Sequence, residues 1–304
     1  AAPAAAAPKP PEHLKLVDLT PDFARVWAAT ETLPDGERPA AFAQQFAPVL
    51  PGFYDFRREG AGPEDRFNAR LLRALKAYPE RRAGIEQVSA RFDTMFQPAL
   101  STFEARFGPM TGYPPVYLVN SLGEFDGGTR ELAGRPVLLF GADVIARLHM
   151  GHDIQPFFHH ELFHLYHQRH FSECAQAWCG LWTEGLAVYV AKSLNPKATD
   201  EDLLLTQPEP LRAAVDGRRE LAVCTVVAQL DSRDEKVMGA LFSSGRLSPE
   251  LPPRFGYYVG YLAAGELGRT RSLKQLAAMK PAQVRPALEA ALRRLATCPA
   301  ARPA

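Results

Sequence analysis

The sequence predicts an α+β protein that is mainly helical and has one small sheet, and three features support this prediction. Apolar residues recur at helical spacing through much of residues 12–107. Two short apolar runs of β type, in residues 114–123 and 135–143, flank a stretch rich in turn residues. Helical patterns return from about Asp153 and continue to the C-terminus. We therefore expect a small antiparallel or mixed sheet held against many helices.

The N-terminal third divides at glycine and proline. Helical patterns occur in PDFARVWAAT, in RFNARLLRALKAY and in IEQVSARFDTMFQPALSTFEARF, with breaks at residues 34–36, 51–52 and 60–63. The alanine and proline content of residues 1–11 predicts a flexible tail. The expected organisation is this tail, a helical part over 12–110, and a part over 111–304 that carries the sheet and the remaining helices. The last two parts are compatible with one compact unit.

Composition excludes two classes of partner. The formal net charge of +1 offers no electrostatic basis for binding nucleic acid or an anionic membrane surface. No apolar run approaches the roughly 20 residues that a membrane-spanning helix needs. The N-terminus lacks a starting Met and any signal-like segment, so it is either the remainder of a processed export signal or an arbitrary boundary. We expect a bacterial protein that is periplasmic or secreted.

The four cysteines, at positions 174, 179, 224 and 298, match no CxxC metal pair. In an oxidising compartment they could form two disulfides, most simply Cys174–Cys179 and Cys224–Cys298. Four cysteines allow three pairings, and four free buried thiols are the other interpretation.

Five of the eight histidines lie in FFHHELFHLYHQRH, residues 157–170. Within it, HELFH is an HExxH motif. On a helix, His160 and His164 project from one face one turn apart, as two ligands of a single metal ion require, with Glu161 beside the open coordination position. The opposite face is apolar and is expected to pack in the core; it comprises Phe158, Leu162, Leu165 and Tyr166. The structural alternative is a pair of buried core histidines beside a solvated glutamate.

Two residues are candidates for the third ligand. His170 has the spacing of the pattern HExxHxxGxxH, but His167 stands where that pattern has the glycine that turns the chain back. Glu184, 20 residues past His164 in LWTEGLAVYV, can be presented by a second helix. Two histidines and one carboxylate form a catalytic zinc set with one position left for water, and this favours Glu184.

The segments HELFH and LWTEGLAVY resemble the gluzincins, HExxH metallopeptidases with a glutamate ligand on the next helix, and among them the aminopeptidase N-like and peptidase-MA-type proteins. The resemblance covers residues 157–192 and the later FGYYVGYLAAGELG, residues 255–268. It implies a zincin-like fold with the sheet next to the HExxH helix, Zn²⁺ as cofactor and Glu161 as general base. It also implies Tyr257 as the donor to the oxyanion, with Tyr258 as the alternative.

The chain departs from these families at two points. No GxMEN-type strand is present to bind a substrate amine, so the sequence does not separate endopeptidase from exopeptidase activity. Thermolysin-like proteins carry an aspartate four residues after the glutamate ligand, where this chain has Val188.

The expected function is zinc-dependent hydrolysis of peptide bonds in a peptide or protein substrate, which the strand around residues 137–140 could hold by edge pairing. The alternatives are a zinc-binding protein of the same fold without significant turnover and a metallohydrolase acting on other bonds. The remaining histidines are expected outside the ligand set: His159 points sideways from the metal face, and His167 lies in the core or supports a ligand. His149 and His152 are expected to face solvent.

Overall fold

The structure is a computed structural model that describes residues 14–299 apart from Glu59, Ala133 and Glu173. The Ala/Pro tail predicted for residues 1–11 lies outside the described residues. The mainly helical α+β class is confirmed. The strands are β1 (Leu16–Asp18), β2 (Val116–Val119), β3 (Gly127–Leu132) and β4 (Arg135–Gly141). The helices are α1 (Thr20–Thr30), α2 (Arg38–Phe46), α3 (Glu64–Phe107), α4 (Ala142–Leu148), α5 (Gln155–His167), α6 (Ala177–Leu194), α7 (Leu211–Asp216), α8 (Arg219–Gln229), α9 (Glu235–Phe242), α10 (Phe255–Gly268), α11 (Leu273–Ala277) and α12 (Pro281–Leu295).

The described residues form two compact units. The first unit comprises residues 14–94 and 104–150, and it holds the sheet together with α1, α2, α4 and most of α3. The second unit comprises residues 95–103 and 151–299, with α5–α12. Residues 111–150 therefore belong with the N-terminal helices and not with the HExxH helix. None of the helices in the described ranges combines the length and apolar composition needed to cross a bilayer.

The sheet of the first unit is mixed and has the strand order β1-β2-β4-β3. Of the two arrangements that the sequence leaves open, the mixed sheet is found, because the two apolar runs form β2 and β4, which pair in parallel. The segment between them supplies β3, which pairs antiparallel with β4. Its glycines and half-buried side chains give β3 no apolar alternation, so pairing with β4 rather than side-chain pattern makes it a strand. The short strand β1 carried no sequence signal and depends on its pairing with β2.

The expectation that residues 137–140 form a sheet edge able to pair with a peptide substrate is wrong. These residues lie in β4, which has β2 on one side and β3 on the other. The backbone groups that an extended peptide would need are already engaged within the sheet. Their side chains are buried, with Leu138, Leu139 and Phe140 fully inaccessible to solvent.

Helices account for the rest of the first unit as expected. The breaks over residues 34–36, 51–52 and 60–63 fall in turns or irregular segments that separate α1, α2 and α3. The second and third helical patterns are one helix, α3, of 44 residues. A cluster of aromatic rings fills the space between the shorter helices; it includes Phe23 and Phe42, with ring centroids 4.9 Å apart, and Tyr54.

The second unit is built around α5, α6 and α10. Helix α5 begins where the Asp153 carboxylate accepts a hydrogen bond from the backbone N–H of Gln155, with Pro156 in the first turn. Of the four residues predicted for its apolar face, Phe158, Leu162 and Leu165 are buried, and Tyr166 is partly exposed. The ring of Phe158 packs edge-on against Phe96, at a centroid distance of 5.4 Å.

Both disulfides lie in the second unit and follow the simplest of the three pairings. Cys174 bonds to Cys179, and Cys224 bonds to Cys298, across separations of 5 and 74 residues. The second bridge joins α8 to the segment that follows α12. Among the described residues no cysteine is free.

Candidate metal centre

Helix α5 presents His160 and His164 on one face, one turn apart, as the HExxH spacing predicts. Their Nε2 atoms lie 2.9 Å apart, and the ring planes are nearly perpendicular, at 80°. Both side chains are partly exposed, whereas the apolar residues on the other face of the helix are buried. The two imidazole nitrogens therefore converge on one point outside the helix.

Glu184 approaches that point from α6. Its Oε2 atom lies 3.3 Å from His160 Nε2 and 3.3 Å from His164 Nε2. Helix α6 begins at Ala177, two turns before this residue, and its apolar positions are buried as expected: Leu181, Leu186, Val188 and Val190. Burial alone would raise the pKa of Glu184, but the two imidazoles overcome this effect and hold that pKa well below its usual range. Glu184 is thus an anion facing two nitrogen ligands.

The three side chains lie close enough together to hold one metal ion, and their spacing can be compared with that of a zinc site. A tetrahedral ion with bonds of about 2.0–2.1 Å holds its ligand atoms about 3.3–3.4 Å from one another. The two distances from Glu184 Oε2 match this value, and the nitrogen pair is a few tenths of an ångström closer. In the described part of the chain, this is the only group of three or more His, Cys, Asp or Glu side chains close enough to share an ion. Two imidazoles and one carboxylate fit Zn²⁺ and leave one coordination position for solvent.

Close packing between α6 and α10 sets the position of Glu184. Gly185 lies against Gly260, and a Cβ atom added to Gly185 would lie 2.2 Å from the Gly260 carbonyl carbon. A Cβ atom on Gly260 would in turn lie 2.4 Å from the carbonyl oxygen of Leu181. The two backbones are therefore in direct contact, and the glycine of LWTEGLAVY has a packing role. Glu184 directly precedes Gly185, and Tyr257 lies about one turn before Gly260. The contact therefore brings the helix positions of Glu184 and Tyr257 close together.

Tyr257 lies beside the ligand group, the name used here for His160, His164 and Glu184. Its ring centroid is 6.5 Å from that of His160, and the ring planes are 27° apart. Burial raises the pKa of Tyr257 well above its usual value, and the negative charges of Glu184 and Glu161 raise it further. The phenol is therefore a neutral hydrogen-bond donor at any physiological pH.

Tyr258 points elsewhere, although it was the alternative oxyanion donor. Its hydroxyl accepts a hydrogen bond from Arg212, 3.0 Å away, and donates to Asp216, 3.1 Å away. The side chain is 1% exposed. Tyr258 thus fixes α10 to the α7 segment, and Tyr257 is the tyrosine that stands at the ligand group.

Glu161 is buried, with 7% of its surface exposed, and follows His160 directly on α5. Its negative charge is one of the smaller influences that raise the pKa of Tyr257.

The other candidate third ligand, His170, does not join the group. Helix α5 ends at His167, and His170 lies in the turn that follows, with its backbone N–H bonded to the His167 carbonyl oxygen at 2.8 Å. Its ring instead contacts that of Tyr166, at a centroid distance of 4.7 Å.

Two further histidines of α5 are buried. Both ring nitrogens of His159 are engaged: Nε2 hydrogen-bonds the Ala99 carbonyl oxygen, and Nδ1 lies within hydrogen-bond distance of the Asn195 amide nitrogen. Burial lowers the pKa of His159 to about 4. His167 stacks between Phe163 and Phe171, at 5.0 Å from each ring, which is the core position that the sequence favours.

The expectation that His149 and His152 face solvent is confirmed for His152 and wrong for His149. His152 is exposed and lies 3.2 Å from Glu201. His149 was expected to face solvent, but it is 5% exposed and pairs with Asp126 at 2.8 Å. Both partners belong to the first unit, and the pairing depends on β3, which the sequence did not reveal.

Sequence reasoning also missed Arg254. The guanidinium carbon of Arg254 lies 4.6 Å from the centroid of the Tyr257 ring. The residue precedes α10 and has a left-handed backbone conformation, with φ at 66°. Only its position after two prolines, directly before a helical pattern, gave any signal of this turn.

No protein-family model, no curated protein and no solved structure matches the chain. The chemistry of the group formed by His160, His164 and Glu184 is therefore read from the residues themselves.

Proposed function

We propose that the protein is a zinc-dependent peptidase of the gluzincin type, with a zincin-like fold. The observation that carries the proposal is the convergence of His160 Nε2, His164 Nε2 and Glu184 Oε2, each within 3.3 Å of the others, with Glu161 on the same helix. Such a set of ligands leaves one position open to solvent, whereas a structural zinc site fills all four with protein ligands. The substrate is a peptide or protein.

In this proposal the two histidines and Glu184 hold Zn²⁺. The bound ion supplies Lewis acidity, which favours deprotonation of water and polarises a substrate carbonyl. Glu184 contributes the negative charge, and the neutral imidazoles contribute the nitrogen ligands. The contact of Glu184 with both rings outweighs the effect of its burial and keeps the carboxylate ionised, as a ligand must be.

Glu161 acts as the general base. It takes one proton from the water whose oxygen attacks the carbonyl carbon, and it returns that proton to the amine when the C–N bond breaks. One water is consumed for each peptide bond. The low exposure of Glu161 supports this role, because few bulk water molecules compete for the proton.

Tyr257 donates a hydrogen bond to the carbonyl oxygen as that atom becomes negatively charged. A phenol serves this role as a neutral donor, provided that it stays protonated. The raised pKa of Tyr257 meets this condition, and its ring lies beside His160.

We also propose that the protein works outside the cytoplasm, in the bacterial periplasm or after secretion. The two disulfides support this location, since such bonds persist mainly in oxidising compartments. The oxidation state of the cysteines tests this proposal. The protein is expressed with and without export to an oxidising compartment, and its free thiols are counted. Four free thiols in active protein would contradict a location outside the cytoplasm.

The test of the proposed function combines metal analysis with digestion of a peptide library. We expect about one zinc per chain and cleavage that stops on treatment with a chelator and returns with Zn²⁺. The positions of the cleaved bonds separate endopeptidase from exopeptidase activity. Zinc without cleavage of any peptide, ester or amide would favour a zinc-binding protein without turnover. Cleavage of esters or non-peptide amides alone would favour a metallohydrolase that does not act on peptide bonds.

A further inference from the structure

Tyr257 is held by contacts on several sides. The edge of its ring meets Phe242, at a centroid distance of 6.1 Å and an angle of 73°, and His160 stacks beside it. The guanidinium of Arg254 lies over the ring, 4.6 Å from its centroid. This is the geometry of a cation–π contact, and a half-buried position strengthens such a contact.

Arg254 is itself anchored through its backbone and its side chain. Its backbone N–H donates to the Ala240 carbonyl oxygen at 2.9 Å, and its Nη1 donates to the Gln207 carbonyl oxygen at 3.2 Å. No carboxylate in the described part of the chain forms an ion pair with it. The positive charge is therefore not neutralised by an acidic side chain, and the aromatic ring that it contacts is that of Tyr257.

The backbone of Arg254 has an unfavourable conformation. Its φ of 66° is left-handed, a region where glycine and asparagine are at ease and an arginine is strained. The residue immediately precedes α10, and Tyr257 N–H bonds to its carbonyl oxygen at 3.1 Å. This conformation directs the Arg254 side chain back over the first turn of the helix that carries Tyr257.

We propose that Arg254 is a positioning residue for Tyr257 in the hydrolysis proposed above, an inference that rests on that function. The guanidinium holds the phenol ring and draws electron density from the phenol oxygen. A phenol polarised in this way donates its hydrogen more strongly to a developing oxyanion.

The test uses Arg254→Gly, which removes the guanidinium and relieves the left-handed backbone, so the variant is expected to fold. With a peptide from the library digest, we expect kcat to fall about tenfold while KM stays within about twofold, since the interaction forms mainly in the transition state. Arg254→Lys, which keeps the charge, should recover part of the loss. Arg269→Gly, at an exposed arginine after the end of α10, is the control and should keep the wild-type kcat.

A double-mutant cycle with Tyr257→Phe supplies the discriminating result. If Arg254 acts through the Tyr257 hydroxyl, Arg254→Gly should reduce kcat little further in the Tyr257→Phe background. A second cycle, on urea unfolding of the zinc-free protein with Tyr257→Leu, measures the ring contact without reference to activity and should be non-additive. A wild-type kcat in Arg254→Gly, or fully additive losses in kcat, would overturn this inference alone. A wild-type protein that hydrolyses nothing would overturn the proposed function and this inference together.

Discussion

Gly185 of α6 and Gly260 of α10 are in backbone contact, and this contact joins the helices that carry Glu184 and Tyr257. A Cβ atom on either glycine would fall within 2.4 Å of an atom of the other helix. The clashing atoms belong to the backbone, so no side-chain rotation can relieve the overlap. Helix packing and the candidate metal centre therefore depend on the same two residues.

Gly185→Ala should consequently destabilise the protein and disturb the site. The added methyl must push α6 from α10, at a cost of about 1–3 kcal/mol in the free energy of unfolding. Zinc affinity should fall as well, because Glu184 moves with the helix. Urea unfolding and zinc titration measure the two effects.

Gly239→Ala is the matched control. Gly239 lies in α9 with nothing within 4 Å of the position of an added Cβ atom. Alanine there should stabilise the helix by about 0.5–1 kcal/mol. Equal effects of the two substitutions would contradict the importance of the α6–α10 contact.

Glu161→Gln should retain zinc and lose hydrolysis. The amide has the size of the carboxylate but cannot accept the proton from water, and loss of a general base costs about 10²–10⁴-fold in kcat. Zinc content by mass spectrometry and kcat on a cleaved peptide provide the two measurements. Glu201→Gln, at an exposed glutamate, is the control. Hydrolysis at the wild-type rate in Glu161→Gln would remove this residue from the mechanism.

His160→Ala combined with His164→Ala should abolish stoichiometric zinc binding. Only Glu184 of the three ligands remains, and one carboxylate does not hold Zn²⁺ at micromolar concentrations. Equilibrium dialysis against a zinc buffer measures the change. His152→Ala removes an exposed histidine and should leave the stoichiometry unchanged. One zinc per chain in the double variant would place the ion elsewhere.

Loss of the two disulfides should have unequal effects. The Cys224–Cys298 bridge closes a loop with a separation of 74 residues, and the Cys174–Cys179 bridge one with a separation of 5. Loop-closure entropy assigns about 4–5 kcal/mol to the first and about 2 kcal/mol to the second. Paired Cys→Ala substitutions, compared by urea unfolding under oxidising conditions, measure the difference. A larger loss from the short bridge would contradict the entropic account.

Acid should destabilise the protein partly through His159. Burial lowers the folded-state pKa from 6.5 to about 4, so between these values the unfolded chain binds the proton and the folded chain does not. The contribution is complete above pH 6.5 and is lost as the pH falls towards 4, by roughly 3 kcal/mol in all. His159→Gln removes this proton uptake. In zinc-free protein its free energy of unfolding should change less between pH 7 and pH 4.5, and equal slopes would disprove the assignment.

The helical residues of the candidate site could be predicted because their geometry is local. A spacing of four residues on a helix puts His160 and His164 on one face whatever else the chain does. The apolar side of the same helix, with Leu162 and Leu165, was predicted for the same reason and is buried. The assignments of zinc, of Glu161 as base and of Tyr257 as donor remain predictions.

Elements that depend on distant pairing could not be predicted in the same way. The strand β3 has no apolar alternation, so nothing in its own residues distinguishes it from a turn. The pairing of β3 with β4 places residues 137–140 inside the sheet and explains why His149 is buried against Asp126. The contact of Arg254 with Tyr257 could not be predicted either, because it depends on the left-handed backbone conformation of Arg254 itself.

By itself the sequence determined the α+β composition, the helix that carries two histidines and a glutamate, and the glutamate on a later helix that could complete a metal site. These follow from side-chain periodicity and spacing, which act over one or two turns of chain. Only the tertiary structure decided the strand order and the position of Arg254. It also placed Glu184 and Tyr257 beside the two histidines, with His170 and Tyr258 elsewhere. Each of these depends on the contact between segments far apart in the chain, above all the glycine contact of α6 and α10, which periodicity does not encode.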